Sequence, residues 1–144
     1  MLFTKETDYA IRFFRTLQDG NQYPVGEIAE KEMIPQQFAY KILRKLSKAG
    51  YVKVIRGAKG GCILSADLKE VDLFSVIEAV EPKKSFIQCL EDGYHCEYRD
   101  QHGGCRVHDN LGCIDGLLQK ALSKVSIDQV LNGDLEDAAG EESA

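Results

Sequence analysis

Over residues 5–19, Ala10, Phe13, Phe14 and Leu17 recur at helical spacing, with Thr4 before them as a suitable N-cap and Gly20 after them as a stop. This pattern predicts an amphipathic helix. A break at residues 20–24 leads to a shorter apolar pattern, Val25, Ile28 and Ala29, and then to a turn at 32–34. Pro35 suits the first position of a new helix, which Gly50 ends. On this helix Phe38, Ala39, Ile42, Leu43, Leu46 and Ala49 form the inward face, and Gln37, Tyr40, Lys41, Arg44, Lys45 and Lys48 face out. The period then changes. Residues 51–55 are rich in aromatic and β-branched side chains, 56–61 read Arg-Gly-Ala-Lys-Gly-Gly, and Cys62, Ile63 and Leu64 follow, giving strand, glycine-rich basic turn and strand.

Two helices joined by a tight turn, followed by a β-hairpin with a basic glycine-rich tip, are the layout of a winged helix-turn-helix. A phosphate-cradling loop is the competing reading of 56–61, but the GxxxxGK[ST] spacing is missing and no helix start follows. Gln36, Gln37, Tyr40, Lys41 and Arg44 are then the candidates for the major groove of double-stranded DNA, with Arg56 and Lys59 for phosphates or a narrow minor groove.

Further along, Asp72 caps a short helix with Leu73, Val76, Ile77 and Val80 inward, stopped by Pro82. Val107, Leu111, Ile114, Leu118, Ala121 and Val125 recur in steps of four and three, a heptad seam onto which a second copy of the chain can pack. Ser126 starts a last short helix, and 134–144 are acidic and small, with the composition of a disordered tail. The expected fold is mainly α with a small β wing (α+β). The expected organisation is a DNA-binding domain over 1–81, a cysteine-rich loop over 82–108, a dimerisation helix and terminal short helix over 109–133, and a tail over 134–144.

Charge sharpens this division. Residues 1–61 carry eleven Lys and Arg against six Asp and Glu, a net +5, whereas 62–144 carry seven against seventeen, a net −10. A basic head joined to an acidic remainder suits nucleic-acid binding by one part and sensing or assembly by the other. No apolar run approaches the ~20 residues of a membrane span, and the N-terminus lacks a signal-peptide plan, so a cytoplasmic location is expected.

In a reducing compartment five cysteines suit thiolate ligation better than disulfides. Cys89, Cys96, Cys105 and His108 fall within twenty residues, separated by six, eight and two positions, among glycines at 93, 103 and 104. Soft thiolates with one weaker ligand suit an iron-sulfur cluster, and a Cys3His zinc site is the rival, although no tight CxxC pair occurs. If a helix begins near Cys105, His108 lies about 4.5 Å further along the axis near the same face, and Cys113 about 12 Å along. A start near Asn110 would bring Cys113 back as a ligand. Cys62 reads as packing within a strand, and no cysteine sits in a nucleophile motif, so no enzymatic activity is expected.

The segment FTKETDYAIR, the helix end KLSKAGYV, the wing RGAKGG, DLFSVIEAVEP, the three loop cysteines and SIDQVL together resemble the bacterial winged-helix regulators of the IscR/NsrR type. The resemblance runs in order from Leu2 to Leu131. It implies a homodimeric transcription regulator, a repressor acting on a pseudo-palindromic operator. It also implies an iron-sulfur cluster, 2Fe-2S or 4Fe-4S, that senses redox state, nitric oxide or iron-sulfur status. Cys89, Cys96 and Cys105 correspond to the family's ligands and His108 to the fourth in the IscR-like pattern, while Asp8 is the NsrR-like alternative, contributed across the dimer. The intervals between cysteines are longer here than the family's usual ones. Some members, of the CymR kind, hold no cluster and respond to a metabolite, a partner protein or thiol oxidation.

Overall fold

In a computed structural model that describes residues 4–83 and 85–136, the chain is mostly helical with one two-stranded sheet, the fold class expected. The expected tail over 134–144 lies outside the described residues from position 137 onward.

Helix α1 (Lys5–Leu17) starts where Thr4 accepts a hydrogen bond from the Glu6 backbone, and its apolar stripe is fully used: Ala10, Phe13, Phe14 and Leu17 are buried. Helix α2 (Val25–Lys31) packs on helix α3 (Gln36–Lys48), and α3 on α1, in one core that takes in Ile28, Ala29, Ala39, Ile42 and Leu46. Pro35 is the residue that caps α3 rather than its first turn, and Ala49 is exposed, not inward, because it is the C-cap at which the chain leaves the helix.

Strands β1 (Val52–Ile55) and β2 (Gly61–Leu64) pair antiparallel, Val52 opposite Leu64 and Ile55 opposite Gly61. Tyr23 adds a one-residue third strand by exchanging two backbone hydrogen bonds with Cys62, at 3.0 and 2.8 Å, which pins the wing to the start of α2. At the tip, Gly57 has φ +116°, and a Cβ on Gly60 would collide with the carbonyl of Ile55, so this turn requires glycine at both positions.

Helix α4 (Leu73–Val80), capped by Asp72, closes the core with Leu73, Val76, Ile77 and Val80. The cysteine-rich stretch then contains a 3-10 turn (Gln88–Leu90) and helix α5 (Glu97–His102), ahead of helix α6 (Arg106–Ser123) and helix α7 (Ile127–Asn132). Helix α6 begins three residues before the expected start at 109. Helix α7 returns to the N-terminal core: Ile127 is fully buried, its backbone donates to Val71, and Asn132 donates to Gln18 at the end of α1. The terminal short helix therefore packs on the winged-helix core instead of continuing α6.

Candidate functional site

Two regions carry the candidate residues. The first is the face made by α3 and the wing. Gln36, Gln37, Tyr40, Lys41 and Arg44 are all exposed on or at the start of α3, and Arg56 and Lys59 are exposed in the wing turn. Tyr40 and Arg44 share with Val54, Arg56 and Gly60 a groove of about 770 Å³ between helix and wing. Arg44, Tyr40 and Arg56 thus line one concave surface. Gln22 holds the tip from the side, donating to the Lys59 carbonyl at 2.6 Å.

Lys41 is less independent than its exposed position on a helix suggests. Its ammonium donates to Glu6 Oε1 at 2.7 Å, and the other Glu6 oxygen takes Lys45, which also donates to the Val80 carbonyl at 2.6 Å. Burial works against the Glu6 charge, but hydrogen bonds from Lys41 and Lys45 outweigh it and hold the carboxyl below its usual range.

The turn before α3 is clamped from α1. The Glu32 carboxylate, buried to 5% side-chain exposure, takes Arg15 and the Thr16 hydroxyl, the latter at 2.7 Å, while Arg12 donates to the Glu32 carbonyl at 2.9 Å. Next to it Met33 has φ 55° and is 84% exposed. Neither the clamp nor Met33 was expected from the pattern. The Glu32 carboxylate lies sixteen and seventeen positions from its partners, beyond any local spacing rule.

The second region is the cysteine stretch. Cys105 is the N-cap of α6, its sulfur accepting from the His108 backbone at 3.4 Å, so the condition that keeps His108 beside Cys105 is met. Positions 105, 108, 112, 115 and 119 lie along one stripe of the helix. That stripe faces inward. A Cβ on Gly112 would reach Leu90 at 3.7 Å, and Asp115, the buried residue of α6, accepts from the Phe86 backbone at 3.3 Å and from Gln119 at 2.7 Å. Cys89, in the 3-10 turn beside Leu90, and the Cys105–His108 pair therefore border the same α6 face.

Among the described residues His108 Nδ1 is buried with no hydrogen-bond partner, a costly state for a ring nitrogen and one that a ligand bond or a bound proton donor would relieve. The other loop histidines are engaged elsewhere: His95 pairs with Asp100 at 3.3 Å, and His102 stacks on Tyr98 with ring centroids 4.0 Å apart. Cys96 caps α5 and borders a shallow depression with Tyr94, Arg99 and Gly104.

Cys89, Cys96 and Cys105 are half-buried. Cys62 differs, being fully buried with burial pushing its thiol up to about 11, in keeping with a packing role. Cys113 is exposed and lies about 140° around α6 from His108. Asp8 is engaged by Nε and Nη2 of Arg12, at 3.1 and 2.9 Å, so a role as ligand would require release from Arg12. Among the described residues, no three His, Cys, Asp or Glu side chains gather into a group able to hold a metal ion within the single chain. The donor set is suitable and accessible but not drawn together.

On the opposite side of α6, Val107 (65%), Ile114 (48%) and Leu117 (65%) are exposed. The expected seam splits: Leu111, Leu118 and Val125 are half-buried, and Leu117, outside the heptad pattern, joins the exposed face.

A family model, Rrf2, described as an iron-dependent transcriptional regulator, matches residues 3–133. The chain belongs to the Rrf2 family. A relative from Rhizobium meliloti (strain 1021), the protein aau3, is 31% identical over 125 residues, covering 85% of this chain and 75% of that one. Among solved structures, CymR (YrzC), the global cysteine regulator of B. subtilis, matches with a TM-score of 0.63 at 19% identity, over 94% of this chain and 99% of its own. IscR of T. potens matches with a TM-score of 0.61 at 16% identity, over 97% and 96%. These two likenesses are of fold. Rrf2 membership and the winged helix make the protein a DNA-binding transcriptional regulator, and the expected resemblance holds. No helix among the described residues is long and apolar enough to cross a membrane.

Proposed function

We propose that this Rrf2-family regulator acts as a homodimeric repressor on a pseudo-palindromic operator, with its affinity governed by an iron-sulfur cluster held by Cys89, Cys96, Cys105 and His108. The observation that carries the proposal is the buried, unpartnered Nδ1 of His108, one helical turn from Cys105 on the α6 face that packs against the turn containing Cys89. A cluster bound there would supply redox-active iron, reactive towards oxidants and nitric oxide. Thiolates from Cys89, Cys96 and Cys105 would hold it, and His108 would be the fourth and weakest ligand, ahead of Asp8 and Cys113. Ordering of the 86–105 segment would set the position of α6, through the Phe86–Asp115 hydrogen bond and the Leu90–Gly112 contact.

Dimerisation through the exposed Val107, Ile114 and Leu117 face would place two α3–wing surfaces about a two-fold axis. Gln36, Gln37, Tyr40, Lys41 and Arg44 would then address the major groove, and Arg56 and Lys59 the flanking backbone or minor groove.

A second reading has its own support. The three thiols are not gathered within one chain, and CymR, a cysteine regulator, is among the structural matches, so a cluster-free regulator responding to thiol oxidation, a metabolite or a partner protein is the alternative. Purification without oxygen separates the two: the first reading expects brown protein containing iron and acid-labile sulfide, and colourless, iron-free protein overturns it. Within the first reading, His108→Ala should shorten cluster lifetime more than Cys113→Ala. The reverse order would reassign the fourth ligand.

A further inference from the structure

Helix α3 is held by a carboxylate that nothing in its own sequence announces. Glu6, on α1, is 14% exposed at its side chain and sends one oxygen to each of two lysines one turn apart on α3. The two lysines are in different situations. Lys45 is 27% exposed and also donates to the Val80 carbonyl at the end of α4, so it is built into the junction of three helices. Lys41 is 49% exposed, donates only to Glu6 among the described residues, and stands on the outward face beside Tyr40 and Arg44. Lys45 therefore anchors the carboxylate, and Glu6 Oε1 is presented to Lys41 in the way a DNA phosphate oxygen would be.

The geometry points to Glu6 as a positioning residue that sets DNA selectivity: it occupies Lys41 as an internal stand-in for phosphate, so that Lys41 reaches a duplex only by exchanging partners. This inference rests on the proposed reading of α3 as the DNA-contacting helix. The physical consequence is directional. Sequence-independent affinity comes from lysines and arginines that neutralise phosphates and release counterions. A lysine already neutralised by Glu6 contributes little to that release, and its negative partner repels the backbone. Non-specific binding is held down, while an operator that fits the rest of the surface supplies the contacts that make the exchange favourable. Specificity is a difference of affinities, and lowering the non-specific arm raises it as surely as strengthening the specific one.

The test is a salt titration of binding to a mixed-sequence duplex, read by fluorescence anisotropy, for wild type, Glu6→Gln, Lys41→Gln and the double variant. Glu6→Gln keeps an oxygen for Lys45 and removes the charge that holds Lys41. It should bind the duplex several-fold tighter at low salt and steepen the salt slope by about 0.9, the share of one phosphate. In the Lys41→Gln background the same substitution should no longer change the slope. An unchanged slope in Glu6→Gln, or an equal increase with and without Lys41, overturns the inference. A merely structural role for Glu6 would lower thermal stability and affinity together without steepening the slope. Failure of the underlying reading looks different: Arg44→Ala and Arg56→Ala would both leave duplex affinity and slope untouched.

Should Glu6→Gln fail to fold, the wild-type protein answers the same question. Through-hydrogen-bond NMR couplings of the Lys41 ammonium should run to the Glu6 carboxylate in the unbound protein and to phosphorus in the complex with a high-affinity duplex selected from a random-sequence pool. A Lys41 ammonium coupled to neither, or one that keeps its Glu6 coupling in the complex, overturns the exchange.

Discussion

Glu32→Ala should destabilise the protein through the turn that launches α3, and its magnitude can be worked from the contacts. The substitution strands the Thr16 hydroxyl, itself only 3% exposed, which had donated to Glu32 Oε1 at 2.7 Å. Leaving a buried donor unsatisfied costs about 1–3 kcal/mol. The Arg15 side chain is 57% exposed and regains water, so its lost ion pair is discounted to about 0–1 kcal/mol. Together these give about 1–4 kcal/mol, or a fall in Tm of roughly 2–16 °C for a chain of this size. Glu32→Gln keeps an acceptor for Thr16 and should cost about half as much. The pH dependence has a definite sign. Burial opposes the charge, but Arg15 and Thr16 outweigh it and hold the folded carboxyl below its ordinary value of 4.5. The stabilisation is therefore complete above the unfolded value and lost as pH falls through the lower folded one, so the gap between wild type and Glu32→Gln should be constant near neutrality and close in acid. Calorimetry across pH measures both. A Glu32→Ala protein melting with wild type, or a gap that persists unchanged in acid, would show that this carboxylate does not hold the turn.

Leu117→Glu should convert a dimer to a monomer in analytical ultracentrifugation while the helical circular dichroism signal is kept, because Leu117 is 65% exposed in the single chain; an unchanged dimer would move the interface off α6. Arg56→Ala should weaken duplex binding in an anisotropy titration and reduce its salt slope by about 0.9, and an unchanged slope would remove the wing tip from the DNA surface. Met33→Gly should raise stability to denaturant by up to about 1 kcal/mol, since the left-handed backbone costs a side chain about 1–2 kcal/mol and glycine loses about half of that gain to entropy. A less stable Met33→Gly protein would show that the methionine side chain makes contacts worth more than the strain.

Helices with a buried stripe were legible because the stripe writes itself at fixed spacing: Ala10, Phe13, Phe14 and Leu17 on α1, and Leu73, Val76, Ile77 and Val80 on α4, are buried as the period requires. The wing was legible for a different reason. Its turn demands glycine at 57 and 60, and the strands on either side change the period from helical to extended. Helix α5 was hidden because all six of its residues, Glu97–His102, are exposed; it buries no stripe, and its N-cap is Cys96, not a residue that advertises a cap.

What periodicity conceals on α6 is instructive about the candidate site itself. The one buried residue of this eighteen-residue helix is Asp115, and its exposed apolar residues lie on the other side, so the usual rule of apolar-in and polar-out is inverted within the single chain. Both halves of the inversion have a physical reason. Asp115 is buried because it serves the unpaired Phe86 backbone N–H and the Gln119 amide, fixing the stretch that leads to Cys89. The apolar residues are exposed because nothing in one chain covers them. In the proposed reading, a helix that holds the cysteine stretch with its polar face and offers its apolar face outward would couple the two, and reordering of residues 86–105 would tilt the surface offered to a second copy. In sequence this appears only as an imperfect heptad, since Asp115 acts through Phe86, twenty-nine residues away, and the exposed Leu117 stands outside the repeat.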